Sequence, residues 1–168
     1  DAGAWQTIQL NVDAAQGATY VWNGVPATKS SNVRVRVIDV DNANVAGISG
    51  VFNIVGNLNL TSPTGSPREH WVAGTSYNIT WTSSAVNTVK AYYSLDGGLT
   101  WTLINSAPGV GGTMAWPIAD LQQVSNNAKI KVTDQDNESV VSSISPLAFD
   151  IIASFDITAP ESGVSVVA

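Results

Sequence analysis

Residues 128–137 read AKIKVTDQDN, and residues 33–42 read VRVRVIDVDN. Both stretches alternate apolar and cationic residues and end in an Asp-x-Asp-Asn turn, the pattern of a β-strand with one buried face. A register shift of one residue would bury the cations, so the pattern defines which face points inward. The two stretches lie 95 positions apart. We therefore predict that the chain contains two copies of one β-rich unit.

Other pairs extend this repeat in both directions. Trp5 recurs as Trp101, 96 positions later, and Phe52-Asn53-Ile54 recurs as Phe149-Asp150-Ile151, 97 positions later. A spacing of about 97 residues is too long for a solenoid repeat and suits a small sandwich domain. The alignment predicts that residues 1–56 are the C-terminal part of a first repeat and that residues 57–153 are a complete second repeat. Residues 154–168 would be the first strand of a third repeat, or a strand that completes the sheet of a partner.

Short strand signals follow one another throughout the complete copy, and no segment has a helical period. We predict about seven strands in each repeat and an all-β fold of tandem immunoglobulin-like antiparallel β-sandwiches. Trp81, Trp101 and Trp116 are expected in the core, and Trp5 and Trp22 repeat two of these positions. The seven predicted strands cover residues 58–60, 77–82, 89–94, 101–104, 113–116, 128–133 and 148–152.

Composition narrows the class of protein. The hydrophobic fraction is 44% and there are six tryptophans, which is enough for a packed core. A net charge of −6 with only seven lysines and arginines argues against a nucleic-acid partner, because a basic stripe is needed to neutralise phosphates. No apolar run approaches the roughly 20 residues that span a bilayer. Few charged residues, many small polar residues and no cysteine favour an extracellular or cell-surface repeat protein.

Residues 94–101 read SLDGGLTW and match the Asp-box pattern S-x-D-x-G-x-T-W of sialidase-like β-propellers. The residue types predict a hairpin in which Asp96 bonds backbone N–H groups and the glycines supply positive φ. In the sialidase family the box lies away from the active site. A propeller needs several boxes at a spacing of about 40 to 50 residues. The other candidate here is the degenerate DAGAW of residues 1–5, so a sialidase-like protein is kept as an alternative.

A second resemblance extends over the whole complete copy. It is carried by residues 63–74 (PTGSPREHWVAG), 79–84 (ITWTSS) and 92–101 (YYSLDGGLTW). These resemble an extracellular Ig-like repeat of bacteria and archaea that reads P-N-G-G-E-x-W, I-x-W and Y-S-x-D-G-G-x-T-W. The repeat is similar to the N-terminal Ig-like domain of fungal Ser/Thr-rich cell-wall proteins. The opening turn departs from the pattern, because PTGSPR at 63–68 replaces P-N-G-G.

The resemblance implies a structural or adhesive module without catalytic activity. Such a module would extend, space or assemble an S-layer, a surface filament or an adhesin stalk. Its partners would be neighbouring repeats of the same or identical chains, with self-assembly, and surface glycans.

Two acidic loops fit either a metal or a turn. Asp39 with Asp41, and Asp134 with Asp136, place oxygen atoms at alternate positions, a pattern that Ca²⁺ favours. The same residues form Asx turns when their side chains bond their own backbone. Both interpretations remain open at this point, and no other cofactor is expected.

Catalytic constellations are sparse. His70 is the sole histidine, which excludes a His-based triad within the chain. Glu69 with Asp96 or Asp150 would be a candidate glycosidase pair, but such a pair requires a carboxyl group of raised pKa in a cleft. Short sandwich loops offer no obvious cleft, so we predict that the chain is not an enzyme.

Trp71 follows a charged triplet, and we expect it to be exposed. There it would contact a neighbouring domain or stack on a sugar. An alternative function is therefore a carbohydrate-binding accessory domain with Trp71 or Tyr92 as the platform.

Overall fold

The computed structural model of the chain describes residues 4–13, 19–119 and 123–155. Every regular element in these ranges is a β-strand, which confirms the all-β fold. The chain divides into two units, Asp1–Val55 and Gly56–Ala168. Of the segment 154–168, expected to be the strand of a third copy, all but residues 154 and 155 lie outside the described ranges. No helix in the described part of the chain has the length and hydropathy to cross a bilayer.

The first unit contains two small antiparallel sheets. One pairs β1 (Ser30–Val33) with β4 (Phe52–Ile54), and the other pairs β2 (Arg36–Ile38) with β3 (Ala46–Ile48). The sequence predicts one strand over the alternating residues 33–37, but the structure divides this stretch between β1 and β2, which pair with different strands, and residues 34 and 35 belong to neither.

Burial in the first unit is lower than the repeat predicts. Val37 is 71% exposed, whereas its counterpart Val132 is fully buried. Val35 is half-buried where Ile130 is fully buried, and Trp5, expected in the core, is 47% exposed. The physical reason is that, within the described residues of this unit, the two sheets have two strands each and form no common apolar core.

The second unit consists of two larger sheets. Their strands are β5 (Asn57–Ser62), β6 (His70–Val72), β7 (Ser76–Ser84), β8 (Thr88–Ser94), β9 (Thr102–Pro108), β10 (Thr113–Pro117), β11 (Ser125–Asp134), β12 (Ser142–Ile144) and β13 (Phe149–Ile152). The three-stranded sheet has the order β10, β7, β5, and the six-stranded sheet has the order β6, β13, β11, β8, β9, with β12 also paired to β11. All pairs are antiparallel except β6 with β13, which is parallel.

One apolar core joins these two sheets. The three-stranded sheet contributes Ile79 and Trp81 from β7, and the six-stranded sheet contributes Ile130 and Val132 from β11. Apolar residues of both inner faces therefore pack together, as in a β-sandwich of the immunoglobulin-like class. All seven strands predicted for the complete copy are present. Two short strands of the described residues, β6 and β12, were not predicted, because three residues carry too little periodicity.

The exposed position expected for Trp71 is wrong. Its side chain is only 6% exposed and belongs to the core. The parallel pairing of β6 with β13 places Trp71 opposite Ile151, and Ile151 is also buried. The charged residues 68–70 lie where β6 begins. Because successive side chains of a strand point to opposite faces, the exposed His70 is followed by a Trp71 that points into the core.

Candidate functional site

The Asp-box segment forms a closed hairpin turn around one carboxylate. Asp96 Oδ1 accepts the Leu99 N–H at 3.0 Å and the Thr100 N–H at 2.9 Å, and the Thr100 hydroxyl donates to Oδ2 at 2.6 Å. Ser94 Oγ lies 2.6 Å from Oδ1. Hydrogen bonds from Ser94 and then Thr100 hold the pKa of Asp96 far below its ordinary value. The carboxylate therefore stays ionised and holds the turn.

The outer face of the six-stranded sheet carries a cation between two aromatic rings. Lys131 Nζ lies 4.6 Å from the ring centroid of Trp101 and 4.9 Å from that of Tyr92. Because Ile130 and Val132 point into the core, the alternation along β11 puts Lys131 on the outer face. Trp101 is half-buried beside it, so the prediction that this tryptophan lies in the core is wrong. Its ring covers the stem and charge of a surface lysine.

A second polar group on this face centres on Glu138. Lys90 Nζ donates to Oε1 at 2.7 Å, and the Tyr92 hydroxyl donates to Oε2 at 2.7 Å. The hydrogen bond from Lys90 is the main cause of a lowered Glu138 pKa. Partial burial, followed by the hydrogen bond to Glu138, raises the pKa of Tyr92. Lys90 is thus neutralised by a carboxylate, in contrast to Lys131.

The first unit repeats the cation and tryptophan contact. Arg36 Cζ lies 4.6 Å from the ring centroid of Trp5. Arg36 precedes Lys131 by 95 positions, and Trp5 precedes Trp101 by 96. The aligned residues therefore make the same contact within each unit, although the burial of the two units differs. Sequence reasoning aligned all four residues but did not predict that they touch.

The carboxylates considered as a glycosidase pair bind different structural partners. Glu69 accepts the backbone N–H groups of Thr64 at 2.9 Å and Gly65 at 2.6 Å. Asp150 accepts Arg68 Nε at 2.9 Å, and His70 Nδ1 lies 2.9 Å from its other oxygen. The hydrogen bond from Arg68 lowers the pKa of Asp150. A general acid needs a raised pKa, so the lowered values at Asp96 and Asp150 are opposite to that requirement.

The two acidic loops are built as Asx turns. Asp39 Oδ1 accepts the N–H groups of Asp41 at 2.8 Å and Asn42 at 3.2 Å. Asp134 Oδ1 likewise accepts the Asp136 N–H at 3.2 Å. Among residues 4–13, 19–119 and 123–155, no three side chains from His, Cys, Asp or Glu gather into a metal-ligand group.

Of the two aromatic platforms predicted for sugar stacking, Trp71 is buried and cannot contact a ligand. Tyr92 is half-buried, and its hydroxyl is engaged with Glu138. The face of the sheet around Tyr92, Trp101 and Lys131 is the remaining candidate for contact with a ligand.

No protein-family model matches this sequence, and no match is found among curated proteins. Among solved structures, the chain is similar to the fibronectin(III)-like modules of Clostridium thermocellum CbhA, with 17% sequence identity and a TM-score of 0.41. The similarity covers 58% of this chain and 99% of that one.

Proposed function

We propose that this chain is a non-catalytic structural module of a secreted or cell-surface repeat protein, such as an S-layer, a surface filament or an adhesin stalk. The observation that carries the proposal is the repetition of one unit at about 97 residues, including the contact of Arg36 with Trp5 and of Lys131 with Trp101. A chain of repeated sandwich domains gains length with each added unit. The proposed partners are accordingly neighbouring repeats of the same or identical chains.

The bonding of the acidic side chains supports a role without catalysis. Glu69, Asp96, Glu138 and Asp150 each hold a turn, a strand or a cation of the fold. An open concavity lies along Asn57, Asn59, Thr82, Ser83 and Ser84, which include no ionisable side chain. An active site generally combines a concave pocket with ionisable groups of perturbed pKa, and here the two are separate.

The cellular location of the protein and the mechanical unfolding of its chain test the proposal directly. In the source organism, labelling of intact cells with a membrane-impermeant reagent should modify the protein, and pulling on the chain should show the second unit unfolding as one mechanical step. Retention of the protein in the cytosolic fraction would contradict the proposal. The proposal that the module is not catalytic fails if the purified chain hydrolyses a fluorogenic glycoside. A sialoside is included among the substrates to test the Asp-box alternative.

A further inference from the structure

Two cations of the outer sheet face have no acidic partner among the residues that the structure describes. Among the described residues, neither Lys129 nor Lys131 pairs with a carboxylate, whereas Lys90 pairs with Glu138 and Arg68 with Asp150. This is notable in a chain with thirteen acidic and seven basic side chains, because an excess of acids makes pairing easy. Two half-buried rings flank the ammonium group of Lys131 instead.

The same arrangement recurs in the first unit. Arg34 and Arg36 align with Lys129 and Lys131, and the described residues again provide no carboxylate for either arginine. Arg36 lies over Trp5 at the same 4.6 Å distance. Two units that differ in burial therefore both keep a pair of cations without acidic partners in the described ranges, and one cation of each pair lies over a tryptophan. An aromatic face holds a cation in place without neutralising its charge, which leaves the charge available to an anion.

From this geometry we propose that the face formed by Lys129, Lys131, Trp101 and Tyr92 binds a linear acidic polysaccharide. The two lysines lie two residues apart on one face of β11, about 7 Å along the strand, so they present a short row of positive charge. A polymer with a carboxylate on successive sugars complements such a row. The exposed part of each half-buried ring packs against the C–H surface of a sugar.

The alternative occupant is a second copy of this chain, and the described carboxylates of the second unit do not favour it. Glu69, Asp96, Glu138 and Asp150 are each engaged within the fold, so these side chains are already bound to partners in their own chain. The inference goes beyond the structural role proposed above. It is tested on the purified chain, so the result does not depend on where the protein is located.

Affinity electrophoresis of the full chain is the test, with alginate as the acidic polymer and dextran as the neutral one. The wild-type chain should be retarded by alginate at low ionic strength and not by dextran, and about 0.5 M NaCl should abolish the retardation through charge screening. Lys131→Gln should weaken binding about fivefold, the size expected for one exposed charge contact. Lys131→Arg should bind like the wild type, because arginine occupies the aligned place over Trp5.

The matched control is the double variant Lys90→Gln with Glu138→Gln, since it removes a neutralised ion pair from the same sheet and leaves the net charge unchanged. It should change binding less than twofold, which is about 0.4 kcal/mol. The proposal is overturned if alginate does not retard the wild-type chain, or if this double variant weakens binding as much as Lys131→Gln. It is also overturned if sedimentation shows a salt-dependent dimer that Lys131→Gln dissociates while alginate has no effect, because the face then binds a second copy.

Discussion

The indole of Trp71 stacks on the phenol ring of Tyr77, with ring centroids 4.7 Å apart and planes 3° from parallel. Trp71 also contacts Phe149 at 4.8 Å and Trp116 at 6.0 Å between centroids. The Val72 N–H donates to the Tyr77 hydroxyl at 2.9 Å. This aromatic group connects the short strand β6 to both sheets, so the tryptophan that the sequence places at an edge is a central part of the core.

Truncation of this indole should strongly destabilise the second unit. We expect Trp71→Ala to lower the free energy of unfolding by about 3–5 kcal/mol, because it removes a large buried ring and leaves a cavity. Urea denaturation followed by fluorescence of the remaining tryptophans measures the change. Leu99→Ala is the control, since Leu99 is 86% exposed, and it should stay within about 0.5 kcal/mol of the wild type. Equal effects of the two substitutions would refute the assignment of Trp71 to the core.

Gly109 is packed too closely for a side chain. A Cβ atom there would overlap the carbonyl oxygen of Val86, and the carbonyl of Gly109 itself accepts Ser83 Oγ at 2.8 Å and Trp81 Nε1 at 3.2 Å. We expect Gly109→Ala to cost about 1–3 kcal/mol through displacement of backbone. A Cβ atom at Gly47 would meet no atom within 4 Å, so Gly47→Ala should leave the stability nearly unchanged. Thermal melts of the wild type and both variants measure the two effects. A neutral Gly109→Ala would show that the loop relaxes without cost.

Acid should weaken the Asp-box turn through Asp96. The folded-state pKa of this carboxyl lies below its ordinary value of 3.8, so its contribution to stability is complete above that value and is lost as the pH falls toward the folded pKa. Glu138 and Asp150 also have lowered pKa values and act in the same direction. Asp96→Asn should therefore lower Tm at neutral pH and reduce the decline of Tm below about pH 4. Parallel Tm curves for variant and wild type would contradict this role.

Alkaline titration should report on the pair of Tyr92 and Glu138. Burial and the hydrogen bond to Glu138 raise the pKa of Tyr92 above its ordinary value of 10.0. Its contribution to stability is present below that value and is lost as the pH rises through the folded pKa. In Glu138→Gln, the tyrosine should ionise closer to its ordinary value. Ultraviolet absorbance of phenolate measures this, with Tyr92→Phe identifying which of the four tyrosines responds.

Calcium should leave the thermal stability unchanged. Asp39 and Asp134 already accept N–H groups of their own loops, which compete with a cation for the same oxygens. Extracellular calcium modules bind at about 0.1 to 1 mM, so melts in about 10 mM CaCl₂ and in chelator are sufficient. A rise in Tm that the chelator reverses would establish a metal site in one of these loops.

The periodicity of the sequence alone defined most of the strands of the second unit and the faces to which their side chains point. The alternation in residues 128–133 identified Ile130 and Val132 as inward and Lys129 and Lys131 as outward, and the structure agrees. The Asp-box spacing likewise predicted the turn around Asp96. These features are local, because strand pleat and turn chemistry depend on residues a few positions apart.

Which strand faces are buried by another sheet depended on the tertiary structure alone. Trp71 lies in the core and Trp101 covers Lys131, the reverse of the expected burial. The reason is that the pairing of β6 with β13, and the contact of Trp101, just before β9, with Lys131 on β11, join residues far apart in sequence. Val35 and Ile130 carry the same pattern, yet only Ile130 faces a second sheet in the described residues. Periodicity specifies which way a side chain points, and burial depends on whether another layer packs against it.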